Sequence, residues 1–253
     1  MGAERRLLVL GVAFGASLTL ALQVAIYPSL RDSFAEMSEG LPEAFTRLIG
    51  SEDFASPEGF LQAEAYGTMA PLLVVLVAIS MAGSGIPRAE SSGRMMLLAT
   101  SSVTRRDIAV GAALSVIVAV SKVVAVYGVA TILGSEFAGL DIRVDRLLAA
   151  AFSLWLLGLA IGAIAFAAAA ATGSRAIAIA CGSSVTVVSF LNHGLLPLSD
   201  SLAPGRYFSL WYPYADPKPL ENGFDLASTV VLLAVSVSFF AWGVDRFRRR
   251  DLG

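Results

Sequence analysis

The sequence predicts an all-α, polytopic membrane protein of six transmembrane helices, with short amphipathic helices at the interface and in an outer loop. Three observations carry that expectation: six apolar runs of spanning length, a shortage of charge, and an arginine bias among the connecting segments. Only 15% of the 253 residues are charged and 56% are hydrophobic, whereas a soluble domain carries about 25% charged residues to solvate its surface. A bilayer is the solvent that this composition suits.

Crossing about 30 Å of hydrocarbon takes roughly 20 apolar residues at 1.5 Å each. The qualifying runs are about 7–27, 69–86, 108–133, 147–172, 176–196 and 226–244, which together make residues 1–253 one transmembrane domain. Lipid satisfies no backbone N–H or C=O, so each run is expected to close its own hydrogen bonds as a helix, and no alternation suggests a barrel. The first run resembles a secretory leader, but it is nearer 20 residues than the usual 7–15 and is expected to be a retained helix.

With the N-terminus inside, the inner segments hold Arg5, Arg6, Arg88, Arg94, Arg105, Arg106, Arg175, Arg246 and Arg248 to Arg250. The outer ones hold Arg31, Arg47, Arg143, Arg146, Arg206 and Lys218, spread over longer loops. The positive-inside rule then predicts that both termini are cytoplasmic. Arginine outnumbers lysine, of which only Lys122 and Lys218 occur, and alanine is abundant. That composition suggests a GC-rich bacterial genome, and with the apolar runs a bacterial cell membrane.

The connections differ in character. The outer loop of about 28–68 carries Phe34, Met37, Leu41, Phe45 and Leu48 at helical spacing. Ser56-Pro57-Glu58 reads as a cap, a first-turn proline and a first-turn acid. The helix it starts is expected to run straight into the second span. The segment after the fifth span, rich in aromatics and proline, suits headgroup level. The inner loop 87–107 places Met95, Met96, Leu97 and Leu98 among Glu90, Arg94, Arg105 and Arg106. Such a run is too short to span and too apolar to sit in water, so it is expected to lie on the membrane or in a groove on a soluble partner.

Most chemistry is absent from the sequence. There is no phosphate-binding loop, no HExxH and no CxxC, so no catalytic, cofactor or metal site is expected, and no nucleic acid. Gly83-Ser84-Gly85 superficially resembles a serine nucleophile motif, but the single histidine, His193, falls near the opposite end of its span. His193 and Asn192 read as interfacial hydrogen-bonding groups. Lys122 stands in mid-span, where a charge costs roughly 2.5–3.5 kcal/mol. It reads either as a group lining a translocation path or as a lysine satisfied by a neighbour or by snorkelling. The small-residue stretches at 158–173 and 177–184 permit close helix contact, within one chain or between chains.

The run Ala89 to Ile108, A-E-S-S-G-R-M-M-L-L-A-T-S-S-V-T-R-R-D-I, resembles the ABC-2 type transporter permeases. Glu90, Gly93, Leu97, Leu98, Val103, Thr104 and Arg105 match that pattern, and LPEAF and F-x-S-P-E-G-F-L in the outer loop are similar to it. A single Glu, Ser102 in place of a proline, and Ala112 or Ala113 in place of a lysine depart from it. The resemblance, which spans essentially the whole chain, implies the transmembrane permease subunit of an ATP-driven exporter. It implies a second permease copy or sister permease, and a separate ATP-binding subunit that holds ATP and Mg. It also implies that Glu90, Gly93, Arg94, Leu97, Leu98, Arg105 and Arg106 couple to that ATPase. Drugs, antibiotics, lipids and polysaccharides are family cargoes. A non-transporting membrane component of an ABC-like assembly is the alternative, and an intramembrane enzyme a more distant one.

Overall fold

The computed structural model describes residues 56–87, 104–199 and 201–250, together with Gly11 and Gly15, which are helical. Within them the chain is helical, without strands, and five helices are long and apolar enough to cross a membrane. The protein is membrane-embedded. We label these helices α1 (Pro57–Ala82), α2 (Arg105–Ala138), α3 (Val144–Thr172), α4 (Arg175–Leu195, prolonged by a 3₁₀ turn to Leu198) and α5 (Leu226–Arg249). The first apolar run, Gly11 and Gly15 apart, and most of the outer loop, with Phe34 to Leu48, lie outside the described residues.

Local chemistry sets the ends. The Ser56 hydroxyl accepts from the Gly59 N–H at 3.0 Å, with Pro57 and Glu58 in the first turn. α1 therefore begins well before its apolar run, and Leu61–Met69 within it is π-helical. α2 is also longer than its apolar run. Thr104 and Asp107 form a capping box at its start. Gly139 ends it at φ 63, with Leu140 N–H bonded to Ser135 O and Gly139 N–H to Glu136 O. Thirty-four residues make it about 51 Å long, so it outreaches the hydrocarbon.

The core is organised round α3, which is buried over most of its circumference. α4, α1, α2 and α5 follow one another in an arc about it. Small residues allow the approach. A Cβ on Gly162 would stand 2.9 Å from Val116 Cγ1 of α2 and 3.2 Å from Ala78 Cβ of α1. Gly182 of α4 lies under Ile79, and Gly243 of α5 sits against Phe166 and Ala167 of α3. The small-residue stretches left two uses open. Here they serve contact within the chain.

Candidate functional site

The five helices gather two distinct ends, one rich in arginine and one rich in aromatics. The arginine end holds the start of α2, the α3–α4 turn and the end of α5. Glu90, Gly93, Arg94, Leu97 and Leu98 lie outside the described residues. Arg105 and Arg106 are described, and both are exposed on the first turn of α2.

Arg105 is tied down as well as exposed. Its Nη1 donates to the Arg250 carbonyl at 3.0 Å, and Arg250 Nη1 donates in turn to the Ala170 carbonyl at 2.9 Å. Ala170 is in the last turn of α3, where carbonyls lack intrahelical partners and the helix dipole favours a cation. The Arg250 guanidinium also lies over the ring of fully buried Phe247, 5.6 Å from its centroid. The start of α2 is thus linked through the tail to the end of α3. Arg246 lies over Trp242, and Arg249 pairs with Asp245 at 2.9 Å. The sequence reading missed this clasp, because an arginine-rich tail reads as solvated charge.

The aromatic end is closed by a buried polar knot, also missed. The Tyr127 hydroxyl of α2 donates to Ala65 O at 3.3 Å, and the Tyr214 hydroxyl donates to Tyr66 O, both acceptors in the π segment of α1. The Tyr66 hydroxyl donates to Thr131 Oγ1 at 3.3 Å, and Thr131 to Tyr127 O at 2.9 Å. Tyr214 comes from the short helix Tyr212–Ala215 in the aromatic segment before α5, so that segment is bolted to α1, which Tyr66 and Tyr127 join to α2. Burial pushes the Tyr214 hydroxyl pKa well above the usual 10.0, with charge repulsion from the neighbouring Tyr66 and Tyr127 hydroxyls adding to the effect. Beside the knot, Gln62 Oε1 is buried without a partner among the described residues.

The same segment projects apolar groups outward. Phe208 is 91% exposed, and Tyr207, Leu202 and Leu198 are exposed around it. Arg206 lies over the rings of Tyr207 and Tyr212. His193 is buried, with its ring 6.5 Å from that of Tyr212. Ser84 lies at the other end, its Oγ donating to Met81 O at 3.3 Å. Gly83, its neighbour, abuts Arg175 at the start of α4, and His193 is some eighteen residues along α4, about 27 Å away. No nucleophile–base pair is possible between them.

Lys122 falls at the middle of α2, about 25 Å from either end. It is exposed on the flank that faces away from α3, so it lines no cavity among the five described helices. A small cleft does exist near the aromatic end, lined by Phe152, Ser153, Leu156, Pro213 and Phe224 among others, with about 280 Å³ of space that is partly open. It contains one charged side chain, Asp225, which caps α5 by accepting from the Ser228 N–H at 2.7 Å. Among the described residues no cluster of three His, Cys, Asp or Glu side chains has metal-holding geometry. In comparisons with known proteins, no family model, curated protein or solved structure matches the chain.

Proposed function

We propose that this chain is the transmembrane permease subunit of an ATP-driven ABC exporter of the ABC-2 type. It works beside a second copy or a sister permease, in a bacterial cell membrane. A separate ATPase, which binds ATP and Mg, sits against its arginine-rich end. The cargo is a drug, antibiotic, lipid or similar amphiphile, moved outward along the permease–permease interface. The observation that carries the reading is the run Ala89 to Ile108, whose last residues form the capped first turn of α2. A loop fixed in that way to a long membrane helix has the means to pass on movement. The Arg105–Arg250–Ala170 clasp supports the reading, since it couples that turn to α3 as well.

In this reading Leu97 and Leu98 fill an apolar groove on the ATPase, while Glu90, Arg94 and Arg106 orient it from the rim. Truncating one such anchor costs about 1–3 kcal/mol, roughly a ten- to hundredfold loss of affinity. Leu97→Asp or Leu98→Asp is therefore expected to abolish copurification of the ATPase while membrane insertion is unchanged. Full recovery of the ATPase with both variants would remove the coupling role from this loop.

The topology that belongs to this function has six spans, the first over residues 7–27, and both termini cytoplasmic. In a Cys181→Ser background, Phe208→Cys should react with an impermeant maleimide added to whole cells. Arg248→Cys should react only after permeabilisation. The opposite pattern would invert the chain and place the coupling loop outside.

A further inference from the structure

An exposed charge in mid-membrane requires an account. On the outward flank of α2, Leu114, Val118, Val126, Val129 and Leu133 are between 38% and 56% exposed, and Lys122 stands among them. These positions recur every three or four residues, so they form one continuous stripe along the helix. Lys122 has neither a hydrogen bond nor an ion pair with any described residue. It sits within a few ångströms of the centre of the apolar run, about 15 Å from either edge of the hydrocarbon. Its four-carbon stem falls well short of that distance, so snorkelling does not rescue it. A group in that position normally faces a bundle interior, water or a partner of opposite charge.

We propose that this flank of α2 is a lateral binding track for an anionic lipid, whose headgroup meets Lys122 while its acyl chains lie in the bilayer along the stripe. The inference rests on the exporter reading, names the cargo class for it, and places the path of that cargo on this lipid-facing flank instead of the permease–permease interface. Charge complementarity selects the headgroup, since an ammonium with three donors and no carboxylate paired with it among the described residues recognises a phosphate or carboxylate. The apolar residues above and below it select the tail. Because the described residues leave the stripe about half exposed along its length, such a cargo enters sideways from the bilayer and needs no aqueous vestibule. Passing Lys122 at the midplane is then the step that relieves the barrier to moving an anionic headgroup across.

The test uses the full-length chain in a non-ionic detergent, offered equal amounts of phosphatidylglycerol and phosphatidylcholine, with bound lipid counted by native mass spectrometry. The wild type should retain phosphatidylglycerol preferentially. Lys122→Leu should lower that preference about tenfold, as expected for loss of one charge-assisted contact, and Lys122→Arg should restore it. The leucine variant adds only apolar surface, and its thermal transition checks that it is folded. Unchanged phosphatidylglycerol retention by Lys122→Leu overturns the proposal. So does a disulfide joining two chains through Lys122→Cys, since a second copy would then occupy the flank. A second arm separates this inference from the reading it rests on. With the copurified ATPase in vesicles, ATP-driven movement of a fluorescent phosphatidylglycerol is followed by dithionite quenching. Retention at Lys122 without ATP-driven movement supports the site and counts against the exporter. Movement that proceeds undiminished in Lys122→Leu supports the exporter and overturns the site.

Discussion

Gly158→Leu is expected to prevent the chain from assembling a stable bundle. Gly158 of α3 lies where α1 and α2 cross it, one turn before Gly162. A Cβ there would overlap Val74 Cγ1 of α1 and stand 3.0 Å from Val120 Cγ1 of α2. Both valines are themselves buried, at 1% and 0% exposure, so neither has an empty neighbourhood to move into. Overpacking a dense interior costs about 1–3 kcal/mol where neighbours can shift. Here three helix axes would have to separate, and the Val116, Ala78 and Gly162 contact a turn away would be lost with them. The loss should exceed that range and appear as aggregation on size-exclusion chromatography in detergent. Gly158→Ala should lower the midpoint of thermal unfolding by less. Gly111→Ala serves as the control, since nothing lies within 4 Å of its added methyl. A Gly158→Leu protein that remained monodisperse with an unchanged midpoint would show that α3 is not packed as described.

Tyr214→Ala is expected to cost about 3–5 kcal/mol, the usual loss when a buried aromatic is truncated. Tyr214 is 1% exposed, packs edge-on against Trp211 and reaches the Tyr66 carbonyl of α1. Tyr214→Phe keeps the ring and deletes only the hydroxyl, so its cost should be near 1 kcal/mol. The gap between the two variants measures packing against hydrogen bonding. The knot also has an alkaline limit. Folding raises the Tyr214 pKa well above 10.0, whereas the unfolded chain ionises near 10. Its contribution is therefore complete below about pH 10 and falls as the pH rises further, because only the unfolded state gains by losing the proton. Thermal unfolding at pH 8 and pH 10.5 should show a larger drop for wild type than for Tyr214→Phe. Equal drops would mean that this hydroxyl is not buried.

How much of this was legible in the sequence depends on the range of the interaction concerned. The helices and their spanning length came from composition alone, and the Ser56 cap came from three adjacent residues. The capping box of α2 was equally legible, since Thr104 and Asp107 have the required spacing, although it was not singled out. Long-range contacts were not. Tyr66, Tyr127 and Tyr214 are far apart in the chain, and tyrosines near helix ends ordinarily read as an interfacial belt. Only the packing of α1 on α2, with Tyr214 reaching α1 from the short helix before α5, brings them together. Arg250 belonged to a run of basic residues whose members look alike, and its role depends on where α3 ends. Lys122 stood out as a mid-span charge, but its direction depends on which flank α3 covers. Hydrophobic periodicity is uninformative in a helix that is apolar all round.

The π stretch of α1 has a consequence for how this helix accommodates change in length. Deleting one residue from an ordinary membrane helix turns everything on one side of the cut by about 100° and moves its buried face into lipid. A π turn closes with i→i+5 bonds and so contains one residue more than an α turn. Leu61–Met69 therefore holds surplus chain between two segments of fixed facing, Pro57–Phe60 and Ala70–Ala82. A single-residue deletion inside it can be absorbed by one turn reverting to α. The same deletion in α3, which has no π turn and is buried nearly all round, would put every contact beyond the cut out of register.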